Sequence, residues 1–107
     1  MLTKINVGEA GIEIFKCDTA ASHSILRSSI YEKLRKRHPS GIPELVQESQ
    51  KIQLSEGTIS KKVVGSVSIK VQASNTGVTR LDFFVMNSPN NLLGRLALKK
   101  LWPQQFM

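Results

Sequence analysis

The chain has 107 residues, 40% hydrophobic and 21% charged, with fifteen Lys and Arg against eight Asp and Glu for a formal charge of +7. That is the size and composition of one ordinary globular domain with a small core, read as a single domain over 1–107. It excludes a membrane-spanning helix, since no apolar run approaches the ~18 residues needed, and the lone Cys17 excludes an internal disulfide or a cysteine-built metal site.

In chain order, Ile5 to Val7 and Gly11 to Cys17 read as two strands joined through Gly8-Glu9-Ala10-Gly11. In the second, Ile12 and Ile14 share one face, Phe15 and Cys17 the other. Asp18-Thr19-Ala20-Ala21-Ser22 then breaks the apolar run with small residues, and the pair Ile25-Leu26 follows. Ser29 with Glu32 fits a capping box, so a short helix is expected there, with Ile30 and Leu34 on its apolar stripe and Pro39 and Gly41 at its end. Gly41 to Ser49 reads as loop with a turn of helix. Lys51 to Ser55 and Thr58 to Val64 flank a turn at Glu56-Gly57, and Gly65 reads as a bend or bulge. Ser66 to Ala73 alternates as a strand, Asn75-Thr76-Gly77 turns the chain, and Val78 to Met86 is the last long strand. Leu92-Leu93 is a short buried piece before a helix from Arg95 to Leu101, ahead of Pro103. Regular short strands with two brief helices predict an all-β, barrel-like domain.

The chemistry has few places to live. Only two of the eight acids are aspartates, Asp18 and Asp82. Asp82 lies in an ordinary strand context, Leu81-Asp82-Phe83-Phe84. Asp18 follows an apolar strand, where an aspartate also serves as a turn former or helix cap. The basic cluster Lys33, Arg35, Lys36 and Arg37 suits a nucleic-acid contact or a solvated helix face, and no aromatic residues interleave with it as a stacking surface needs. His23 and His38 have no ligand partners nearby in sequence, so no metal site and no cofactor are expected. Cys17 reads as a buried, inert thiol, and Ser28-Ser29 as capping residues.

Three segments, taken together, decide between these readings. The string Phe15-Lys16-Cys17-Asp18-Thr19-Ala20-Ala21-Ser22 resembles the Asp-Thr/Ser-Gly-Ala motif of aspartic proteases. Asn91-Leu92-Leu93-Gly94-Arg95 before a helix is similar to the apolar-apolar-Gly-Arg segment of retroviral and retrotransposon proteases. Between them, Leu54-Ser55-Glu56-Gly57-Thr58-Ile59 stands where that family carries its flap. The resemblance runs from about Ile5 to Leu101 and is closer to proteases of LTR retrotransposons, of the Ty3/gypsy-like or Bel/Pao-like groups, or of a retrovirus-like element, than to cellular pepsins.

The resemblance implies a retropepsin-type closed barrel-like subunit with a flap hairpin and one or two short helices, active as a homodimer. It implies an aspartic endopeptidase that processes a polyprotein, with Asp18 catalytic and Thr19, Ala20 and Ala21 supporting the active loop. Ser22, Leu92, Leu93 and the flap residues Ser55, Glu56, Gly57, Thr58 and Ile59 would contact substrate, while Gly94 and Arg95 hold structure. Nucleic acid and membrane are not expected as direct partners. Met1 to Ala10 lacks the apolar core of a signal peptide, so the expected compartment is cytoplasmic, within virus-like particles for such an element. Two departures matter. Ala20 stands where the family has Gly, and Ser22 where many members have an Asp that pairs with the arginine, so Arg95 is expected to use another acceptor such as a backbone carbonyl. The alternatives are a catalytically weak or inactive peptide-binding or dimerisation domain on the same fold, and a basic RNA-binding module.

Overall fold

Two nine-residue strands form the body of the protein. Gly65–Ala73 (β7) and Val78–Met86 (β8) pair antiparallel from Gly65↔Val85 to Gln72↔Val78, and Val67, Ile69, Val71, Leu81, Phe83 and Val85 point inward. The computed structural model describes residues 1–37, 45–47, 51–52, 61–74 and 76–106. Within these, the chain runs β1 (Leu2–Asn6), a 3-10 turn (Gly8–Ala10), β2 (Ile12–Cys17), β3 (Ile25–Arg27), α1 (Ser28–Arg37), β4 (Val46–Gln47), β5 (Lys51–Ile52), β6 (Lys61–Lys62), β7, β8, β9 (Asn91–Leu93), α2 (Arg95–Leu101) and α3 (Pro103–Phe106).

The sheet closes. Its order is β1-β2-β9-β3-β8-β7, and β1 returns to β7 through Ile5↔Ala73 and Asn6↔Gln72, making a six-stranded barrel with β4 added outside on β7. Closure leaves those six strands no long open edge and encloses one core. Phe15 and Phe83 stand at its centre, fully buried, their rings tilted at 5.8 Å between centroids. Burial of each ring contributes about 2–3 kcal/mol. Ile5, Leu26, Leu93 and Leu98 pack around them.

The first hairpin depends on two glycines. Gly8 (φ 57) and Gly11 (φ 82) take left-handed conformations, and the Val7 N–H donates to the Gly11 carbonyl at 2.9 Å. As expected from the alternation, Phe15 is buried while Ile12 and Ile14 face outward.

Some expectations are corrected. The first strand begins at Leu2 and ends at Asn6, because its pairing with β2 extends to Leu2↔Lys16. Ser29 does not open the helix: α1 starts at Ser28, directly after β3, and Ser29 lies in its first turn. The strand hands over without a loop because Arg27 is held in place, its N–H by Asn91 Oδ1 (2.8 Å) and its Nε by the Ser88 carbonyl (3.1 Å). Val46–Gln47, in the segment read as loop, forms β4 on β7. Gly65 is therefore no bulge. A Cβ there would sit 2.5 Å from the Leu45 Cγ and 2.6 Å from the Val46 carbonyl oxygen, so glycine lets β4 approach β7. Pro103 begins α3, a first-turn position where its missing N–H costs nothing.

The basic cluster has a structural account. Arg35, Lys36 and Arg37 occupy the last turn of α1, where cations complement the helix dipole, and Lys33 Nζ lies 3.4 Å from Glu13 Oε2 on β2.

Candidate active site

The Asp18 loop begins at the end of β2. β2 lies parallel to β9 through Phe15↔Asn91, Lys16↔Leu92 and Cys17↔Leu93, and the Asp18 N–H continues that ladder by donating to the Leu93 carbonyl at 3.0 Å. The chain then turns: the Ala20 N–H donates to Asp18 Oδ1 at 3.0 Å, and the Ala21 N–H to the Asp18 carbonyl at 3.2 Å. The backbone donor at position 20 is thus kept with Ala in place of Gly. An N–H aimed at the carboxylate holds its orientation. Asp18 is half-buried, while Thr19 and Ala20 are exposed in this protomer.

A second set of bonds fastens the loop to the start of α2. The Arg95 N–H donates to the Ala21 carbonyl at 2.9 Å, and the Gly94 N–H to Ser24 Oγ at 2.9 Å. Gly94 is here for room: its φ of −83 suits any residue, but a Cβ would lie 2.7 Å from the His23 carbonyl oxygen and 3.0 Å from that of Ala21. Arg95 meets the loop through its backbone. Its guanidinium is exposed and, among the described residues, takes neither a carbonyl nor a carboxylate acceptor, contrary to the expectation from Ser22.

Leu92 and Leu93 part company. Leu93 is fully buried in the barrel core, so its expected place on a substrate wall is corrected; alternation along β9 turns Leu92 alone to the other face. There Leu92 packs with a second, smaller apolar cluster, Ile25, Val63 and Met86, flanked by Phe84. Ser22 is exposed and borders a cavity of about 480 Å³ between β8 and α2, together with His23, Asp82, Phe84, Leu96 and Lys99. Asp18 does not line that cavity. Asp82 occupies an exposed position of β8 opposite Ser68. The expected flap residues Ser55, Glu56, Gly57, Thr58 and Ile59 lie outside the described residues; β5 and β6, on either side, pair antiparallel through Lys51↔Lys62 and Ile52↔Lys61.

Three supporting residues went unread in the sequence. Ser24 is buried, its Oγ accepting from Gly94 and its carbonyl from the Phe84 N–H at 2.9 Å. Asn91, 4% exposed, ties three strands: its Nδ2 donates to the Ile14 carbonyl (3.1 Å) and its Oδ1 accepts from Arg27. Ser88 is buried and its carbonyl holds the Arg27 side chain. A buried polar group aligned with apolar strands was the available signal, but its partners come from β2 and β3. Replacing Asn91 by Leu leaves a buried N–H and C=O unmet. Urea unfolding should show a loss of about 2–4 kcal/mol.

Burial pushes the Cys17 thiol above its usual pKa, so it stays protonated and a poor nucleophile at neutral pH.

No family model and no curated protein matches the chain. Among solved structures it is similar to the retroviral EIAV protease complexed with the inhibitor HBY-793, at a TM-score of 0.72 and 18% identity over 92% of this chain and 85% of that one. The closed six-stranded barrel with its short helices is the retropepsin-like fold.

Proposed function

We propose that the protein is an aspartic endopeptidase that works as a homodimer, with one Asp18 from each subunit forming the catalytic pair. The observation that carries this reading is the Asp18 loop itself. On a retropepsin-like barrel, an aspartate ends β2 with its N–H on Leu93 and its carboxylate on the Ala20 N–H, braced from behind by Gly94 and Arg95.

Peptide hydrolysis by this route needs two carboxylates sharing one proton, since two adjacent negative charges do not both ionise comfortably. One takes a proton from a water as it attacks the scissile carbonyl; the other, protonated, hydrogen-bonds that carbonyl and stabilises the tetrahedral intermediate. The chain carries one such aspartate, and Asp82 faces outward from an ordinary strand position. The partner carboxylate therefore comes from a second copy across a two-fold axis, where the exposed Thr19 and Ala20 would meet their counterparts. By the same resemblance, residues 55–59, between β5 and β6 in the chain, would serve as the flap that covers an extended peptide and excludes water. Its substrate would be a polyprotein of a retrotransposon or retrovirus-like element, cut in the cytoplasm within an extended segment with an apolar residue on at least one side of the cut.

Sedimentation to establish the dimer, followed by digestion of an extended-peptide library at mildly acid pH, tests the reading. Cleavage blocked by statine-type mimics of the tetrahedral intermediate is expected; a verified dimer that cuts nothing overturns it. A second reading, a non-catalytic peptide-binding domain, is favoured by one feature, the methyl group of Ala20 in a tight loop that ordinarily carries Gly.

A further inference from the structure

Strand pairing sets seven residues side by side across one face of the sheet. Leu2 pairs with Lys16, Lys16 with Leu92, Leu92 with Ile25, Ile25 with Phe84, Phe84 with Ser66, and Ser66 with Val46. Residues directly paired in a sheet project to the same side. Of these seven, Lys16 alone is charged. It adjoins Leu92, whose neighbours Ile25 and Phe84 belong to the apolar cluster on this face.

Lys16 also shares a side with Asp18. The hydrogen bond from Asp18 to Leu93 extends the β2–β9 ladder one residue past Cys17, so the alternation carries positions 16 and 18 to one face and Cys17 to the other. Two residues of strand separate their Cα atoms by about 7 Å, the same distance an extended peptide covers in two residues. Glu13, the acidic residue nearest in the strand, points to the opposite face, where it meets Lys33.

We infer that Lys16 is a specificity-determining residue of the cleft, favouring substrates with an acidic side chain beside the scissile bond and disfavouring Lys or Arg there. The inference rests on the reading of Asp18 as the reacting carboxylate and of Leu92 as a wall of the cleft. Lys16 is half-buried, so its field is less screened than that of a fully exposed lysine. Lys16 already has an interaction within the chain, so a substrate carboxylate would add to or replace it. A lysine's aliphatic stem would still accommodate an apolar substrate side chain.

The test compares hydroxyethylene-isostere peptides, which bind without being cut, that differ only in Glu against Gln beside the isostere. Measured at about pH 6, where a peptide Glu is ionised, the Glu form should bind wild type about tenfold more tightly. That ratio should fall to about one in Lys16→Leu and in Lys16→Gln, survive in Lys16→Arg, and invert in Lys16→Glu. Two neutral variants guard against one that fails to fold. An unchanged ratio in Lys16→Leu or Lys16→Gln overturns the inference and leaves the protease reading standing. Binding without any cleavage of the matching amide peptides overturns the protease reading, while the ratio still decides the role of Lys16. A protein that binds none of these peptides overturns both.

Discussion

Replacing Asp18 by Asn should abolish peptide cleavage, lowering kcat by about 10³-fold or more while leaving the fold and the dimer intact. Asn has the shape of Asp, and its Oδ1 can still accept the Ala20 N–H that holds the carboxylate at 3.0 Å. What it cannot do is exchange a proton with water or share one with a partner carboxylate. Near-unchanged unfolding in urea and an unchanged sedimentation profile would separate loss of chemistry from loss of structure. A symmetric site, as proposed, has a sharper consequence. If both carboxylates come from identical chains, one Asn disables a whole mixed dimer, so activity in exchanging mixtures falls as the square of the wild-type fraction. A linear fall would mean that each chain is catalytically complete and would overturn the proposed two-fold dyad.

The second large effect is expected at Gly94, which has no side chain to take part in the chemistry. In Gly94→Ala the new Cβ would stand 2.7 Å from the His23 carbonyl oxygen, 2.8 Å from its carbon and 3.0 Å from the Ala21 carbonyl oxygen. All three are backbone atoms, so no side chain can swing aside to relieve the contact. The loop carrying Ala21 to His23 must move off α2, stretching the Arg95-to-Ala21 and Gly94-to-Ser24 hydrogen bonds. Denaturant unfolding should show a loss of about 2–4 kcal/mol. Activity should fall further than stability does: where the variant remains folded, a shift of about 1 Å in the Asp18 loop lowers turnover by roughly 10²-fold. Gly77→Ala is the matched control, since no atom lies within 4 Å of a Cβ there, and it should change stability and turnover little.

These outcomes depend on contacts that differ in how far the linear chain reveals them. The two long strands were legible because the pleat has a period of two: Val67, Ile69 and Val71, and Leu81, Phe83 and Val85, fall inward. The glycines of the first turn were legible for a local reason, the positive φ of Gly8 and Gly11. The start of α1 was not. Ser29 and Glu32 have capping-box spacing, yet the helix begins at Ser28, because Asn91 and Ser88, more than sixty residues away, fix Arg27 at the end of β3. Leu92 and Leu93 looked alike as an apolar pair; which one enters the core depends on the register of β9 between β2 and β3.

By itself, then, the sequence determined the β character of the chain, its turns, the short helix after Leu93 and the singular position of Asp18 after an apolar strand, all consequences of local periodicity and residue chemistry. Closure of the barrel, the bracing of the Asp18 loop by Leu93, Gly94 and Arg95, and the placing of Lys16 beside Leu92 were decided only in three dimensions. Each depends on pairing between segments some seventy to eighty residues apart, as in Phe15↔Asn91, Lys16↔Leu92 and Gly94 with Ser24. The pairing register that brings such segments together follows from burying one face of every strand at once, which no single stretch of sequence specifies.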